Sequence, residues 1–315
     1  MIKQTQGLLT SGVGGLYTIR LTDPDAPLRV LSCRAKGAFR HLEQKPLVGD
    51  RVSLRYDTDA PEDTAVIREI LPRRCALIRP PMANVTHLFA VVGACHPAPV
   101  PETVDKLTAI ACHSGIEMVL VITKCDLDME AAEALASIYR TAGFPVFLTS
   151  PAHSEGNRAL SDYLAALPSG SIAAFAGASG VGKSTLLNRL FPHLSLSTGE
   201  ISRRIERGRH TTRRVDLFPI DPADSACDVY LADTPGFSLL DFVRFDFFAL
   251  EDLLDSFPDL ASLRGECRYL DCTHTGEGPA ECAISRAVSE GRIAPSRHAS
   301  YVSLYRILKD KKNRY

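Results

Sequence analysis

The 315-residue chain has no apolar run long enough to cross a bilayer and no secretory signal core, which sets the expectation of a soluble cytoplasmic protein with no membrane partner. Tryptophan is absent and aromatic residues make up only 7%, so the 45% hydrophobic content is chiefly aliphatic. It is still enough for two or three domains with real cores, and the punctuation of the chain favours three. Net charge is lacking as well, at −1, but that average conceals a segregation. Residues 1–75 carry 12 basic and 9 acidic side chains, residues 284–315 carry 8 and 2, and the middle carries 16 and 26. One basic cluster interrupts the acidic middle: Arg203, Arg204, Arg207, Arg209, Arg213 and Arg214, against Glu206 alone. It reads either as a solvated loop or as a phosphate-backbone contact suited to RNA. The stretch Arg306–Arg314 is likewise either a disordered tail or a basic helix end touching RNA.

Against these absences stands one strong motif, Gly177-Ala178-Ser179-Gly180-Val181-Gly182-Lys183-Ser184, which fits G-x-x-x-x-G-K-[ST]. The run before it, Ser171–Ala176, is short, apolar and β-compatible, and Thr185–Phe191 has helical spacing with Pro192 as a stop. The motif therefore sits at a strand-to-helix turn, where backbone N–H groups and the helix dipole hold phosphate oxygens. Lys183 would neutralise the β- and γ-phosphates and the Ser184 hydroxyl would ligate Mg2+, with Thr185 beside it.

Phosphate loops do not select a base. Thr123-Lys124-Cys125-Asp126 supplies that selection, because it follows the buried-strand pattern Met118–Ile122 and so falls at the strand end where open α/β sheets bind ligands. Asp126 can accept from guanine N1–H and the N2 amino group, a pattern adenine does not offer. Thr123 stands where asparagine is usual, and its hydroxyl can donate to guanine N7. Phe147-Leu148-Thr149-Ser150 ends another short strand, from which Thr149 and Ser150 would lay backbone N–H groups against the guanine O6.

A fourth strand pattern, Asp228–Ala232, ends in Asp233-Thr234-Pro235-Gly236, which fits D-x-x-G. Asp233 would hold Mg2+ through water and the Gly236 N–H would reach the γ-phosphate. In Gly208-Arg209-His210-Thr211-Thr212-Arg213, either Thr211 or Thr212 can serve as the switch hydroxyl. The glutamine that orients water in Ras-like enzymes is missing, since Phe237 stands there and forms no hydrogen bond. Unassisted hydrolysis should be slow, with His210 as either a replacement positioned by a partner or a phosphate or RNA contact.

In chain order these elements run base, base support, phosphate loop, first switch, second switch, which is a circular permutation of the ordinary order. The sequence resembles the circularly permuted ribosome small subunit-dependent GTPase A (RsgA) family over nearly its whole length. Three thiols and an imidazole within sixteen positions, Cys267, Cys272, His274 and Cys282, make a Cys3His set for structural zinc. Disulfides or unlinked buried cysteines are the alternatives, and the resemblance supports the same four ligands. Cys33, Cys75, Cys95, Cys112, Cys125 and Cys227 read as small buried hydrophobes, and none as a nucleophile.

The expected architecture is multidomain. Residues 1–74 show short strand runs (Gly15–Arg20, Leu28–Cys33, Asp50–Leu54) of a small β-barrel, either OB or SH3-like by composition. The resemblance implies an OB-fold that binds RNA, with Val48-Gly49-Asp50-Arg51-Val52 its most recognisable piece. Arg79-Pro80-Pro81 reads as a linker. Residues 75–240 form the α/β GTPase domain and 241–315 a mainly α-helical zinc-binding domain, joined so closely through Phe237–Leu240 that a shift of the second switch would reorient it. The resemblance implies a monomer that binds GTP/GDP, the 30S subunit and 16S rRNA, and acts in late 30S maturation, including release of the assembly factor RbfA. Two other classes fit parts of the pattern. A zinc-lidded nucleotide kinase would prefer ATP and need no T-K-x-D, and an RNA-binding module stabilised by GTP would show no turnover.

Overall fold

A computed structural model describes residues 1–23, 26, 28–35, 45–78, 81–194, 215–220, 229–233 and 249–312. The chain begins with a twelve-residue strand, β1 (Ile2–Val13), followed by β2 (Leu16–Leu21), β3 (Val30–Ala35), β4 (Arg51–Asp57), a short helix α1 (Pro61–Thr64) and β5 (Val66–Ile70). Gly14 and Gly15, at φ +60° and +85°, make the two-residue turn between β1 and β2, a backbone that side-chain-bearing residues resist. β1 pairs with β4 through Ile2–Leu8 and with β2 through Gly7–Val13, so the sheet closes on itself. Gly7 belongs to both ladders, and a Cβ there would lie 2.4 Å from the Ile19 side chain. Within this barrel, among the described residues, β3 and β5 run parallel and the other pairs antiparallel. That closed order, β1-β2-β3-β5-β4-β1, is the OB arrangement, and it settles the choice against an SH3-like barrel. Alternating inward residues fill it, with Leu9, Ile19, Cys33, Val52, Leu54 and Ile67 fully buried.

The Val-Gly-Asp piece pins the chain as it leaves the barrel. Gly49, at φ +92°, is needed because a Cβ would meet the Ala83 carbonyl oxygen at 2.0 Å. Asp50 is fully buried and accepts from Arg73 Nε at 2.7 Å, Arg73 Nη2 at 2.9 Å and the Leu47 N–H at 2.7 Å. A two-stranded ribbon, β6 (Ala76–Leu77) with β7 (Met82–Ala83), follows, and Asn84 donates to the Gly49 carbonyl.

Next come β8 (His87–Gly93), α2 (Pro101–His113), β9 (Glu117–Thr123), α3 (Met129–Thr141), β10 (Val146–Leu148) and α4 (Ser154–Ala165). β8 and β9 are buried almost throughout, as the near-continuous apolar runs of a parallel sheet require. Pro101 starts α2 and the Asp128 side chain caps α3 by accepting from the Ala131 N–H. β11 (Ile172–Ala176) leads through the phosphate loop into α5 (Lys183–Leu190), which ends before Pro192 as the sequence implies. β12 (Asp216–Pro219) and β13 (Tyr230–Asp233) follow, and α6 (Pro258–Ala261), α7 (Ala283–Ser289) and α8 (Pro295–Lys312) complete the chain. The basic C-terminal stretch is thus helical through Lys312, with Leu304 and Leu308 of the same helix buried while Arg306, Lys309 and Lys312 stay exposed.

The described residues group into two compact units. One lies within Met1–His87, Leu167–Phe175 and Leu187–Phe237; the other within Leu88–Ala166, Ala176–Leu186 and Ser238–Tyr315. In the first, β11 runs parallel to β13, β13 antiparallel to β12, and β12 meets β1 at Ser11↔Asp216. In the second, β9 lies between β8 and β10. There Leu253, Phe257, Leu260, Ile284 and Leu304 share one core with Ala109 and Ile110 of α2.

Candidate functional site

The glycines of the phosphate loop have separate physical reasons. Gly177 passes so close to β8 that a Cβ would lie 2.5 Å from the Val91 carbonyl oxygen, and Gly180 and Gly182 adopt φ +81° and +89°. Val181 is buried and anchors the loop, while Ala178, Ser179 and Gly180 stay exposed. Lys183 and Ser184 open α5, with Thr185 exposed after them. Backbone amides at a helix start, with a lysine and a hydroxyl, form a receptor for polyphosphate and its cation.

The base-reading tetrapeptide is tied directly to this loop. Thr123 is buried, and its hydroxyl faces two carbonyls, Val181 and Val92, the latter at 3.1 Å. The hydroxyl is thus turned toward the phosphate loop and β8 and ties the one to the other. Lys124, at φ +57°, spans the site, and its ammonium donates to the Gly180 carbonyl at 2.7 Å and to the His96 carbonyl. Cys125 is buried, so Asp126 is turned out into solvent. Among the described residues the Asp126 carboxylate has no hydrogen bond or ion pair. It is therefore available to accept two donors from a planar base.

Thr149 and Ser150 are both buried. Thr149 donates to Ile122 from its N–H at 2.7 Å and its hydroxyl at 3.2 Å, and its carbonyl accepts from the Cys125 N–H at 3.4 Å. Two residues missed in the sequence hold the next turn. Asn157 donates to the Ser150 carbonyl at 2.7 Å, and Gly156 packs where a Cβ would lie 1.9 Å from the Leu148 carbonyl oxygen. A Gly-x-x-x-Leu spacing after Thr149-Ser150 was the available signal. His96 was also missed, since only its carbonyl is used.

Asp233 ends β13, whose register with β11 (Ala174↔Ala232) brings it level with the strand that feeds the phosphate loop. His210, Thr211, Thr212, Gly236, Phe237, the linker at Arg79-Pro80 and the arginine cluster lie outside the described residues, as does Cys227.

The Cys3His set is assembled. The ligand atoms of Cys267, Cys272, His274 and Cys282 all lie within 4.8 Å of one another. His274 Nδ1 is 3.5, 3.3 and 3.5 Å from the Cys267, Cys272 and Cys282 sulfurs, and the Cys267 and Cys282 sulfurs are 4.0 Å apart. Bonds of about 2.3 Å to sulfur and about 2.0 Å to nitrogen at tetrahedral angles give edges close to these, so the set fits Zn2+ and leaves no ligand position open. Burial pushes the Cys272 thiol up to about 12, a cost that a divalent cation reverses by binding the thiolate. Burial also opposes ionisation of Cys282, but the Ser285 N–H, 3.4 Å from its sulfur, helps hold that thiol low. The Glu277 carboxylate accepts from the N–H groups of Thr273, Thr275 and Gly276 and from the Thr273 hydroxyl. His298 Nε2 lies 2.7 Å from the His274 carbonyl oxygen.

Comparison with known proteins agrees with this arrangement. Residues 6–62 match the RsgA N-terminal domain and residues 70–243 the RsgA GTPase domain. The chain is 37% identical over 311 residues to the small ribosomal subunit biogenesis GTPase RsgA of Alkaliphilus metalliredigens, covering 98% of this chain and 99% of that protein. It is 35% identical over 314 residues to the protein of that name from Bacillus anthracis, with 98% and 99% covered. Among solved structures it resembles YloQ, a circularly permuted GTPase, at TM-score 0.77 and 31% identity, with 99% of this chain and 98% of that chain covered. YjeQ from Thermotoga maritima matches at TM-score 0.76 and 30% identity, with 97% and 99% covered.

Proposed function

From the premise that this chain belongs to the RsgA GTPase family and is a GTP hydrolase, we propose that it acts in late maturation of the small ribosomal subunit. In this reading the protein binds 30S subunits and 16S rRNA in the cytoplasm as a monomer, hydrolyses GTP slowly alone and faster when bound, and helps release RbfA. The observation that carries the nucleotide part is the Lys124 ammonium bonded to the Gly180 carbonyl, which joins base reader and phosphate loop as one receptor.

Asp126 accepts from the guanine N1–H and N2 amino group, and Thr149 and Ser150 support the base. Lys183 and the loop amides hold the β- and γ-phosphates. When bound, Mg2+ supplies charge neutralisation at those oxygens, and Ser184 and Asp233 are its holders. Thr211 or Thr212 and the Gly236 N–H contact the γ-phosphate, and His210 positions the attacking water once a bound partner aims it. With Phe237 unable to orient water, the free protein lacks that function, which is the physical ground for partner-dependent turnover. Zinc at Cys267, Cys272, His274 and Cys282 is structural.

GTP turnover measured with and without purified small subunits tests the proposal. A rise of tenfold or more on adding subunits is the expected order of effect. Equal rates in the two conditions would remove the ribosomal client, and equal use of ATP would remove the guanine assignment.

A further inference from the structure

Between the zinc-binding residues Cys267 and Cys272 the chain makes a four-residue loop, Arg268-Tyr269-Leu270-Asp271, fixed at both ends by the cluster. Leu270 is 103% exposed and Tyr269 46%. A leucine held out so fully on a loop anchored at both ends is preorganised for insertion, because much of the ordering cost is met before binding. The surroundings specify the partner. The Arg268 guanidinium covers one face of the Tyr269 ring at 5.6 Å, and the Tyr269 hydroxyl lies 3.5 Å from Glu281. From residue 264 to 281 there are two arginines and four carboxylates. Arg264 is paired with Asp255, whereas Glu266 and Asp271 flank the loop, exposed and without an ion pair among the described residues.

Single-stranded RNA is held by open aromatic faces in positive surroundings, and both features are wanting here. We propose that the 268–271 loop is a protein-docking knob, in which Leu270 and the free side of Tyr269 enter an apolar pocket rimmed by basic side chains on a protein partner. Resting on the ribosomal reading above, that partner is a basic protein of the small subunit. The exposed basic side chains of α8, Arg306 and Lys309, then serve RNA, so one zinc-bearing region offers a protein-facing surface and an RNA-facing one.

A photoreactive p-benzoyl-phenylalanine at position 270 of the full chain, incubated with purified 30S subunits and a non-hydrolysable GTP analogue, should cross-link to a ribosomal protein. Cross-linking to rRNA, or none from a complex that demonstrably forms, overturns the knob and leaves the ribosomal function standing. No complex with the unsubstituted chain overturns both. Leu270→Asp should weaken subunit binding by about tenfold or more and Leu270→Met by no more than about threefold, with zinc content and subunit-free turnover unchanged. Binding of Leu270→Asp at full strength sinks the proposal.

Discussion

Arg297 of α8 places one guanidinium nitrogen 2.7 Å from the Asp105 carboxylate of α2, and another 2.6 Å from Asp259 of α6. The guanidinium is fully buried, also donates to the Thr108 hydroxyl at 3.0 Å, and lies 4.7 Å from the centre of the Phe257 ring. Burial works against its charge, and the two carboxylates more than offset that, so Arg297 stays protonated. Asp105 is also pushed upward, which for a carboxyl favours the neutral form, by the same burial against the pull of Arg297. Removing one partner strands the others. Arg297→Met should therefore cost about 3–5 kcal/mol in denaturant unfolding, and Arg297→Lys, which keeps charge but loses the fork, should recover only part of that. A loss below about 1 kcal/mol for Arg297→Met would show that the network contributes little.

Thr123 and Asp126 are three residues apart and do different work. Thr123→Val keeps the shape but removes the hydroxyl bond to the Val181 carbonyl, at about 1–3 kcal/mol. GTP and ATP affinities should fall together, by roughly tenfold. Asp126→Ala should instead weaken GTP alone and reduce discrimination against ATP by on the order of a hundredfold. Isothermal titration with both nucleotides separates the two patterns. Loss of discrimination in Thr123→Val would return that hydroxyl to the base.

Motifs were legible where a backbone constraint leaves a fixed residue type. The phosphate-loop glycines, the buried runs now seen as β9, β11 and β13, and the assembled Cys3His set belong to this class. The barrel was legible as short strands, but β1 was not, because polar Lys3, Gln4, Thr5 and Gln6 pair with β4 while alternating only between exposed and half-buried, and so carry no apolar period. Arg297 could not be read from sequence at all. Its carboxylate partner Asp105 is 192 positions away, and a buried arginine in a basic helix looks like any solvated one. The motif fixes the place of Thr123 in the chain but not the direction of its hydroxyl, which the structure turns to the Val181 and Val92 carbonyls.

His210 is the candidate that replaces the missing glutamine. If it orients water only in the subunit-bound state, His210→Ala should lower stimulated turnover by about a hundredfold and leave GTP affinity and the slow unstimulated rate unchanged. Single-turnover measurements with saturating small subunits separate this from a binding defect. An unchanged stimulated rate takes His210 out of the chemistry and leaves it as a contact.

Glu277 governs the loop between His274 and Cys282. Burial alone would raise its carboxyl, but three backbone N–H groups and the Thr273 hydroxyl hold it at about 2, so it is ionised and fully engaged throughout the neutral range. These bonds shape residues 273–276 and thereby aim the His274 ring, which itself sits at φ +60°. Outer partners of this kind typically contribute about 10–100-fold to metal affinity. Glu277→Ala should release zinc to a chelator at concentrations about that much lower than the unsubstituted chain requires, while Glu277→Gln, which keeps one acceptor oxygen, should fall between. Cys272→Ser removes a ligand and should abolish stoichiometric zinc. If Glu277→Ala holds zinc as tightly as the parent, the His274 position is set by packing against Tyr301, 6.4 Å away between ring centres, rather than by the carboxylate.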